Sequence, residues 1–567
     1  MTLLSLPLRR AWLGLRPVAD AGTPAPPRAH SPALAVSLSS LWMATAGNLA
    51  LWHEMSALGM LGGLRGVLLG IGTALVIAAL ATALCSLLAW RWTLKPALAL
   101  LLVAAAGGTH FMLAYGIVID PSMLTNVLQT DTREAADLMS LRLAATLLLI
   151  GVLPAVLVWR LPLRYGSAPR RLLGNLGMLL GGIAVAVALL LACFQPLSSM
   201  LRNHKQVRYL VNPLNTVWAA TDAVAKPLRR DGGVLEPIGQ DARLGSSYAG
   251  QAKPPLVVLV LGETGRSGNF GLNGYGRDTT PELAREHVAS LRNVWSCGTS
   301  TAASVPCMFS HLGREGFDAR PHDYEGLLDV LQRAGLAVLW VDNQSGCKGV
   351  CSRVPNVDTS KLQDPALCPG GACLDMVMLQ GLDERIAALP AERRARGVVV
   401  VLHQMGSHGP AYGKRSPAAF KRFQPECETA SLQACSQEQL VNAYDNSIAY
   451  TDHFLASTIR WLKARGDRAS TAMVYLADHG ESLGENNLYL HGLPYALAPD
   501  VQKRVPWITW LSPAYERRAG ISTACLQRGA DERRSHDHWF HSVLGLLDVR
   551  TAVYQPALDL YAACGAG

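Results

Sequence analysis

Residues 296–310 concentrate hydroxyl groups between two cysteines. Cys297 and Cys307 are spaced to close a small loop by a disulfide. Four hydroxyl side chains lie inside that loop: Thr299, Ser300, Thr301 and Ser304. A loop closed in this way can hold one alcohol rigidly as a nucleophile, which is one interpretation. The other is a polar surface loop that the disulfide only stabilises, and this segment alone does not separate the two.

Polar groups follow four short apolar runs that are typical of buried strands, PLVVLVLG, LAVLWV, GVVVVL and TAMVYLA. In open α/β sheets the ligand site lies beyond the carboxyl ends of the strands, so these groups should meet at one edge. They are Glu263, Asp342, Asn343, Ser345, Lys348, His403, His408, Asp478, His479, Glu481 and His491.

The acids and the imidazole of this edge predict a metal site. Glu263, the pair Asp478 and His479, and one hydroxyl of the cysteine loop would supply four ligands, mostly oxygen atoms, which suits Zn²⁺ or Mn²⁺. A divalent cation would stabilise the alkoxide of that hydroxyl, as it lowers the pKa of bound water. The alternative for residues 478–481 is a capped turn that leads into a helix.

Two other motifs are not expected to carry chemistry. The glycine-rich run GETGRSGNFGLNGYG lacks the GK[ST] ending of a nucleotide phosphate loop. The histidines of SHDHWFHS fall near the start of an amphipathic helix, away from the sheet edge, so we expect no metal there: His536, His538 and His541.

The elements that must position the site follow from the hydrophobic periodicity. After residue 254, the apolar runs, with a fifth in VPWITWLS, alternate with helical patterns at 324–334, 375–388 and 437–464. This alternation predicts an α/β domain whose parallel sheet is covered by helices on both faces.

The first third of the 567-residue chain is apolar enough for a membrane domain. Five runs each approach the length that a helix needs to cross about 30 Å of hydrocarbon. They lie at about 33–51, 66–90, 96–114, 143–159 and 176–193. Arginine and lysine concentrate in alternate loops, which places the N-terminus in the cytoplasm and the chain after the fifth helix outside. The net charge of +9 is thus explained largely by membrane loops, and with no basic–aromatic stripe we expect no nucleic-acid partner.

These patterns divide the chain into four parts. We expect a disordered cytoplasmic tail at 1–31, a five-helix transmembrane domain at 32–195, a bridging helix and linker at 196–253, and a periplasmic catalytic domain at 254–567. Within the outside loop 115–140, three polar residues share one helical face: Asn126, Thr130 and Glu134. That face either lines a pocket for a lipid head group or is the solvated side of an interfacial helix.

Ten of the twelve cysteines follow residue 295. Eight of them form close pairs along the chain: Cys297 with Cys307, Cys347 with Cys351, Cys368 with Cys373, and Cys427 with Cys435. Only Cys525 and Cys564 lie outside such pairs, and no CxxC doublet is present. Short-range disulfides in an oxidising compartment are therefore favoured over zinc knuckles, and a bond between Cys525 and Cys564 stays open.

The motifs, in their order along the chain, resemble those of the bacterial lipid A phosphoethanolamine transferases, which include the mobile colistin-resistance enzymes. They are GETGR, SCGTSTAASVPCMFS, DNQSGCKGVC, GSHGP, ADHGESLGE and LHGLPY, behind five predicted transmembrane helices. The resemblance implies the fold of the alkaline phosphatase and sulfatase superfamily in the soluble domain. It also implies a multi-pass protein of the bacterial inner membrane.

The resemblance also implies roles for single residues. Thr301 would be the nucleophile and would bind Zn²⁺, in preference to Mn²⁺, together with Glu263, Asp478 and His479. Other positions match residues that bind the phosphoethanolamine group or a second Zn²⁺: Lys348, His408, Glu481 and His491. Further positions match contacts to the donor lipid: Asn126, Thr130, Glu134 and Ser345. Gln344 stands where the family commonly has asparagine, so its role is open.

The implied reaction moves phosphoethanolamine from phosphatidylethanolamine to Thr301 and then to a phosphate of lipid A, with Lys348 neutralising charge, in a protein expected to be monomeric. The product carries less negative charge and so attracts polymyxins and other cationic peptides less strongly. A sulfatase is excluded because the Cys/Ser-x-Pro-x-Arg sequence is missing, and the paired cysteines disfavour a lipoteichoic acid synthase. Two alternatives remain: a core-sugar or glucan acceptor, and a non-catalytic membrane sensor or assembly protein.

Overall fold

Helices dominate the first part of the chain. The computed structural model describes residues 29–130, 132–229, 234–369 and 372–565, so most of the predicted tail at 1–31 lies outside the described residues. The helices of this part are α1 (Pro32–Ala57), α2 (Gly63–Leu87), α3 (Leu94–Tyr115), α4 (Pro121–Gln129), α5 (Thr132–Asp137), α6 (Leu141–Arg160), α7 (Ala168–Ala192), α8 (Phe194–Asn203) and α9 (Leu214–Arg229). Within the described residues, five of them are long and apolar enough to cross a membrane: α1, α2, α3, α6 and α7. The five predicted spans are thereby confirmed.

Small residues let the membrane helices approach closely. A side chain on Gly182 of α7 would meet the carbonyl oxygen of Ala79 in α2 at 2.7 Å. Polar contacts add to this packing, since the amide of Asn212 donates to the Ala105 carbonyl of α3 at 2.7 Å and to the Gly47 carbonyl at 3.1 Å. Both features are typical of helix association in lipid, where apolar burial supplies little driving force. Outside the five spans, α4 and α9 pack against each other.

The second part of the chain is built on one eight-stranded sheet. Its strands are β1 (Pro255–Gly262), β2 (Ala289–Trp295), β3 (Ala337–Asp342), β4 (Asn356–Asp358), β5 (Val398–His403), β6 (Ser470–Ala477), β7 (Arg504–Leu511) and β8 (Arg534–Ser535). The spatial order is β8-β2-β7-β6-β1-β5-β3-β4. Strands β1, β3, β5 and β6 are buried along their whole length, as their uninterrupted apolar sequences predict.

The sheet is mixed rather than wholly parallel. Strands β6, β1, β5, β3 and β4 run parallel to one another, whereas β7 is antiparallel to both β6 and β2. The prediction of a parallel sheet is thus wrong at the β7 side. An apolar run that is buried on both faces does not encode its direction, and only the connection that precedes it does.

Helices of the second part cover the sheet. They are α10 (Thr301–Met308), α11 (Gly313–Ala319), α12 (Leu327–Arg333), α13 (Leu382–Ala387), α14 (Ala391–Arg396), α15 (Gln437–Lys463), α16 (Pro513–Ala519), α17 (Thr523–Arg528) and α18 (Trp539–Leu546). The long α15 begins with a capping box, because Ser436 and Gln439 exchange side-chain hydrogen bonds with each other's backbone N–H groups. The single helix predicted at 375–388 is instead interrupted at Gly381, which has a φ of +62°.

The second part also contains short strand pairs and disulfides. The pairs join Leu235–Glu236 to Asp323–Tyr324, Arg243–Leu244 to Val549–Arg550, and Ser482–Leu483 to Tyr489–Leu490. The structure pairs the eight neighbouring cysteines as their spacing predicts. It also joins Cys525 to Cys564, the pair that the sequence leaves open. The predicted division of the chain into four parts stays a prediction.

The two parts meet beside the carboxyl edge of the sheet. Helix α4 packs against α10, and a side chain on Gly492 would lie 3.4 Å from the amide nitrogen of Asn126. Lys414 donates to Asp137 of α5 at 2.5 Å, and the amide of Gln433 donates to the Leu113 carbonyl of α3 at 3.0 Å. The edge that carries the predicted site therefore faces the helices that enter the membrane.

Gly262 ends β1 where no side chain fits. A Cβ at this position would overlap the ring of Tyr475, with the ring hydroxyl at 2.5 Å. We expect Gly262→Ala to destabilise the protein by about 1–3 kcal/mol through overpacking, seen as a lower thermal midpoint of the full chain in detergent. Gly268→Ala is the control, because a Cβ there would meet nothing within 4 Å. Equal midpoints for the two variants would contradict this prediction.

Candidate active site

The register of the sheet brings two acids side by side. Gly262 of β1 pairs with Ala477 of the parallel strand β6, so the residues that follow them, Glu263 and Asp478, leave the sheet together. His479 comes next along the chain, and all three of these side chains are at most 1% exposed. Their ligand atoms lie within 4.8 Å of one another, and no other cluster of this kind was found among the described residues.

Thr301 completes this group as the first residue of α10. Its hydroxyl donates to Oε2 of Glu263 at 2.8 Å and lies 3.5 Å from Nε2 of His479. The same His479 nitrogen lies 3.2 Å from Oε1 of Glu263 and 3.4 Å from Oδ2 of Asp478. One imidazole nitrogen carries at most one proton and cannot satisfy three oxygen atoms. Oε1 of Glu263 and Oδ2 of Asp478 have no hydrogen bond of acceptable geometry.

A divalent cation fits this donor set. Two carboxylates, one imidazole and one hydroxyl converge in a buried site, and their two orphaned oxygen atoms are expensive to bury without a partner. Nitrogen and oxygen ligands in this proportion suit a catalytic metal site in which one ligand is the reacting group. The residues that could hold the cation are therefore those that the sequence predicts: Glu263, Thr301, Asp478 and His479.

The electrostatics of the site agree with a cation at this point. Burial would raise the pKa of Glu263, but the attraction of a protonated His479 3.2 Å away outweighs it and lowers that pKa. Burial and the neighbouring Glu263 raise the pKa of Asp478 to about 6. Burial opposes a charge on His479, yet the attraction of Asp478 and Glu263 raises its pKa to about 10. Because metal ligands bind in their deprotonated form, a bound cation would displace the proton that His479 otherwise holds.

The loop that carries Thr301 is fixed from two sides. The Cys297–Cys307 disulfide closes it, and His536 ties it to the sheet. The backbone N–H of Cys297 donates to Nδ1 of His536 at 3.0 Å, and Nε2 of the same ring is 3.0 Å from the Ala477 carbonyl. His536 thus joins the nucleophile loop to the end of β6, directly before Asp478. Among the described residues, it takes no part in a metal-ligand cluster.

A chain of hydrogen bonds connects Lys348 to the same group. Nζ of Lys348 donates to Oγ of Ser345 at 2.8 Å, and that hydroxyl donates to Oε1 of Gln344 at 2.6 Å. The amide nitrogen of Gln344 donates to Oε2 of Glu263 at 3.0 Å. Lys348 has a φ of +50° and lies inside the small Cys347–Cys351 disulfide loop, which holds it in this uncommon conformation.

Gln344 orients Glu263 as a metal ligand through its hydrogen bond, and replacement of Gln344 tests this positioning role. Gln344→Met keeps the length of the side chain and removes its hydrogen-bonding groups. We expect the affinity of the purified chain for Zn²⁺ to fall about 10-fold or more, as when other hydrogen-bond partners of metal ligands are removed. A competition titration with a chromophoric chelator would measure this. Gln380→Met is the control, because that amide bonds the distant Asp364; an unchanged affinity in Gln344→Met would refute the role.

Three further predicted residues line up behind the cluster. The ring of His491 lies 4.3 Å from that of His479 and 5.5 Å from that of His408, measured between ring centres. Nδ1 of His491 is 3.1 Å from Oε2 of the buried Glu481. Burial lowers the pKa of His408 to about 3, so this ring is neutral at ordinary pH. The structure therefore brings the three together as a group adjoining the cluster.

The predicted donor-lipid residues are placed less uniformly. Asn126 lies against the turn at Gly492, next to His491. The hydroxyl of Thr130 donates to the Asn126 carbonyl of its own helix at 2.8 Å, and the side chain of Glu134 lies outside the described part of the chain. His403, the last residue of β5, lies 3.0 Å from Asp342, measured from Nδ1 to Oδ2, and does not join the cluster around Thr301.

The sequence left two site residues, Gln344 and His536, without the roles that the structure gives them. The sequence shows Gln344 only as an amide next to Ser345, because its contact with Glu263 depends on the tertiary structure. His536 stood in a motif that was considered for metal binding only, and its backbone contacts leave no trace in the sequence.

The fold and the site define a membrane-anchored member of the alkaline phosphatase and sulfatase superfamily. The family profile named Sulfatase matches residues 255–549, and the profile named Phosphoethanolamine transferase EptA/EptB matches residues 77–228. Phosphoethanolamine transferase EptA of Salmonella typhimurium is 40% identical over 537 residues, 93% of this chain and 96% of that protein. Phosphatidylethanolamine transferase Mcr-1 of Escherichia coli is 37% identical over 533 residues, 92% of this chain and 96% of that one.

A solved structure agrees with these sequence matches. The integral membrane lipooligosaccharide phosphoethanolamine transferase A (EptA) from Neisseria meningitidis superposes with a TM-score of 0.89 at 35% identity, over 95% of this chain and 100% of that one. The chain belongs to the phosphoethanolamine transferase family that includes EptA and Mcr-1. It is a transferase and an integral membrane protein, as the sequence predicts.

Proposed function

We propose that this chain transfers phosphoethanolamine from phosphatidylethanolamine to a phosphate of lipid A through a covalent intermediate on Thr301. The observation that carries the proposal is the Thr301 hydroxyl, which lies 2.8 Å from Glu263 and 3.5 Å from His479 within a buried cluster that suits a cation. The names of two relatives, phosphatidylethanolamine transferase Mcr-1 and Kdo(2)-lipid A phosphoethanolamine 7''-transferase, support phosphatidylethanolamine as the donor and a lipid A glycolipid as the class of acceptor.

In the first step, the oxygen of Thr301 attacks the phosphorus of the donor lipid. The bond between phosphorus and the diacylglycerol oxygen breaks, and diacylglycerol leaves with a proton from solvent. The proton of Thr301 leaves along its hydrogen bond to Glu263. Lys348 neutralises charge on the phosphoryl oxygens, and its contact with Ser345 orients it for this role. In addition, Asn126, Thr130, Glu134 and Ser345 contact the donor, and His408, Glu481 and His491 bind its phosphoethanolamine group.

In the second step, a phosphate oxygen of lipid A attacks the same phosphorus. The bond between phosphorus and Thr301 breaks, and the threonine oxygen regains its proton. The product is a diphosphate bridge that ends in an ammonium group, so the lipid carries less negative charge. Polymyxins and other cationic peptides are then attracted less strongly.

The cation that we propose is Zn²⁺, bound by Glu263, Thr301, Asp478 and His479. When bound, it would supply positive charge that favours the threonine alkoxide over the alcohol. Its proposed identity rests on the mixed carboxylate and imidazole donors of a small buried site. The His408, Glu481 and His491 group is where a second Zn²⁺ would bind.

We also propose the topology that the chemistry requires. The N-terminus would lie in the cytoplasm and the catalytic part, from residue 254 onward, in the periplasm, where both lipid substrates are exposed. The basic residues in alternate loops between the five spans support this orientation. The five disulfides of that part agree with an oxidising compartment. The chain would work as a monomer, with residues 196–253 bridging the two parts.

Transfer by the purified full chain in proteoliposomes tests this function. The vesicles would contain phosphatidylethanolamine and lipid A, and mass spectrometry would follow the lipid A. We expect a gain of one phosphoethanolamine unit together with release of diacylglycerol. Release without any gain would point to a core-sugar or glucan acceptor. Neither release nor gain from a folded, Zn²⁺-loaded chain would refute the transferase in favour of a sensor.

A further inference from the structure

Three cations and two aromatic rings alternate along one surface of the catalytic part. The guanidinium carbon of Arg314 lies 3.6 Å from the centre of the Tyr495 ring. Nζ of Lys503 lies 5.4 Å from the same ring and 5.7 Å from the ring of Trp295. The guanidinium of Arg533 lies 4.3 Å from Trp295. All four distances fall within the range of cation–π attraction, and we call these five residues the cation–aromatic ladder.

The ladder begins inside a cavity between the two parts of the chain. The cavity has a volume of about 920 Å³, near the upper end of the ~300–1,000 Å³ found for small-ligand sites. Its wall includes Arg314 and Tyr495 of the ladder. It also includes Thr299 and Ala302, which lie close to Thr301 in the chain, and Ser122 and Thr125 of α4. A phosphoethanolamine group alone would occupy a small fraction of this space, so the cavity has room for a second, larger group beside the loop that carries Thr301.

The ladder starts next to the membrane-facing surface. Leu493 and Ala498, on either side of Tyr495 in the chain, belong to an apolar cluster that also contains Met112 and Val118 of the membrane part. A ligand that meets Tyr495 is therefore held close to the lipid interface. This placement favours a lipid-linked ligand over a free solute.

The positive charges of the ladder are available to a ligand. In the described part of the chain, the guanidinium groups of Arg314 and Arg533 form no salt bridge, whereas Lys503 lies 3.3 Å from the exposed Asp500. A guanidinium that stacks on a ring keeps its N–H groups at the edge, where they can bond a phosphate in bidentate fashion.

The rest of the cavity wall differs in charge from the ladder. It carries five carboxylates, at Asp120, Asp222, Asp318, Asp323 and Glu325, against three cations, at Arg320, Lys348 and Arg353. Two carboxylates adjoin the ladder, Asp500 beside Lys503 and Asp537, which accepts a hydrogen bond from the backbone N–H of Arg314 at 2.7 Å. The three cations of the ladder therefore exceed the carboxylates beside them by one charge, whereas the rest of the cavity wall has more carboxylates than cations.

We propose that the cation–aromatic ladder binds the phosphorylated sugar head of the acceptor lipid. It would hold one anionic group of that head while another phosphate of the same molecule reaches Thr301. The sugar rings would lie along the edges of Tyr495 and Trp295, because cations already stack on the faces of these rings, and the anions would bond the guanidinium edges of Arg314 and Arg533. This inference rests on the proposed function, since it assigns the binding site of the acceptor.

The experiment pairs two variants of the protein with two forms of the ligand. The full chain, in nanodiscs without phosphatidylethanolamine, would be titrated with lipid A that carries two phosphates and with lipid A that carries one. The test variant is the double substitution Arg314→Gln and Arg533→Gln. The matched control is Arg468→Gln, an arginine whose side chain is 81% exposed and which contacts no ladder residue. Diacylglycerol release from donor vesicles would be followed in parallel.

For the wild type and Arg468→Gln, we expect a clear preference for the lipid with two phosphates. In the double variant, affinity for that lipid should fall about 10-fold or more, whereas affinity for the lipid with one phosphate should change little. The preference of the wild type should also weaken as salt is added, because exposed charges are screened.

Three results would overturn the inference. One is an unchanged preference in the double variant, and another is an equal loss for both lipids. The third is a matching loss of diacylglycerol release, which would mean that the variant damages the donor site. A wild type that releases diacylglycerol but neither binds nor modifies lipid A would instead overturn the proposed acceptor, and the ladder's role with it.

Discussion

Thr301→Val is expected to reduce phosphoethanolamine transfer at least about a thousandfold, because valine keeps the shape of threonine and removes the nucleophile. The hydroxyl is the only group of this side chain that reaches Glu263 and His479. Mass spectrometry of lipid A after incubation with the donor would show no added phosphoethanolamine. Peptide mass spectrometry of the wild type, quenched without acceptor, should show the same unit on the peptide that contains Thr301.

The control for this substitution lies two residues away. Thr299 is buried in the same loop, but its hydroxyl donates to the Leu493 carbonyl at 2.6 Å and does not reach the carboxylates. Thr299→Val should therefore lower stability slightly and keep most of the transfer. A Thr301→Val chain that still modifies lipid A would show that another group is the nucleophile.

Removal of the metal is expected to have an effect of similar size. Asp478→Asn replaces a buried charged ligand by a neutral one, and we expect Zn²⁺ affinity to fall at least about a hundredfold, with transfer falling in step. Treatment of the wild type with a chelator should abolish transfer, and added Zn²⁺ should restore it. Metal content by mass spectrometry would be compared with that of Asp467→Asn, whose side chain is 69% exposed and far from the sheet edge in sequence.

The dependence of Zn²⁺ binding on pH follows from the same residues. Without the cation, the pKa of His479 is about 10 and that of Asp478 about 6, so binding at neutral pH must release the proton of His479. Affinity should accordingly rise about tenfold for each unit of pH between about 7 and 9, and more steeply below about 6, where Asp478 is also protonated. An affinity that does not change across this range would contradict the assignment of His479 as a ligand.

Local sequence patterns were sufficient for the parallel core of the sheet and for the cluster at its edge. Each strand is a continuous apolar run, and a parallel register forces the residues that follow β1 and β6 to emerge together. Glu263 and Asp478 could therefore be grouped without coordinates. The five spans were equally direct, because helix length and hydropathy alone define them.

Contacts between distant segments could not be predicted in this way. The direction of β7 depends on a connection rather than on its own residues. The ladder draws its members from five separate segments, so the sequence shows no basic–aromatic stripe even though the surface has one. Gln344 and His536 act through side-chain geometry that neither spacing nor composition encodes.

The cavity beside the loop that carries Thr301 has walls from both parts of the chain, and this bears on the choice of material for inhibitor discovery. Ser122 and Thr125 come from α4, whereas Thr299 and Tyr495 come from the catalytic part. In a truncated, water-soluble fragment, this cavity would lack the wall that α4 forms, so a compound library would be screened against a more open site. Molecules selected there would be chosen without the contacts that α4 supplies, so screening of the detergent-solubilised full chain is expected to yield different and more selective chemotypes.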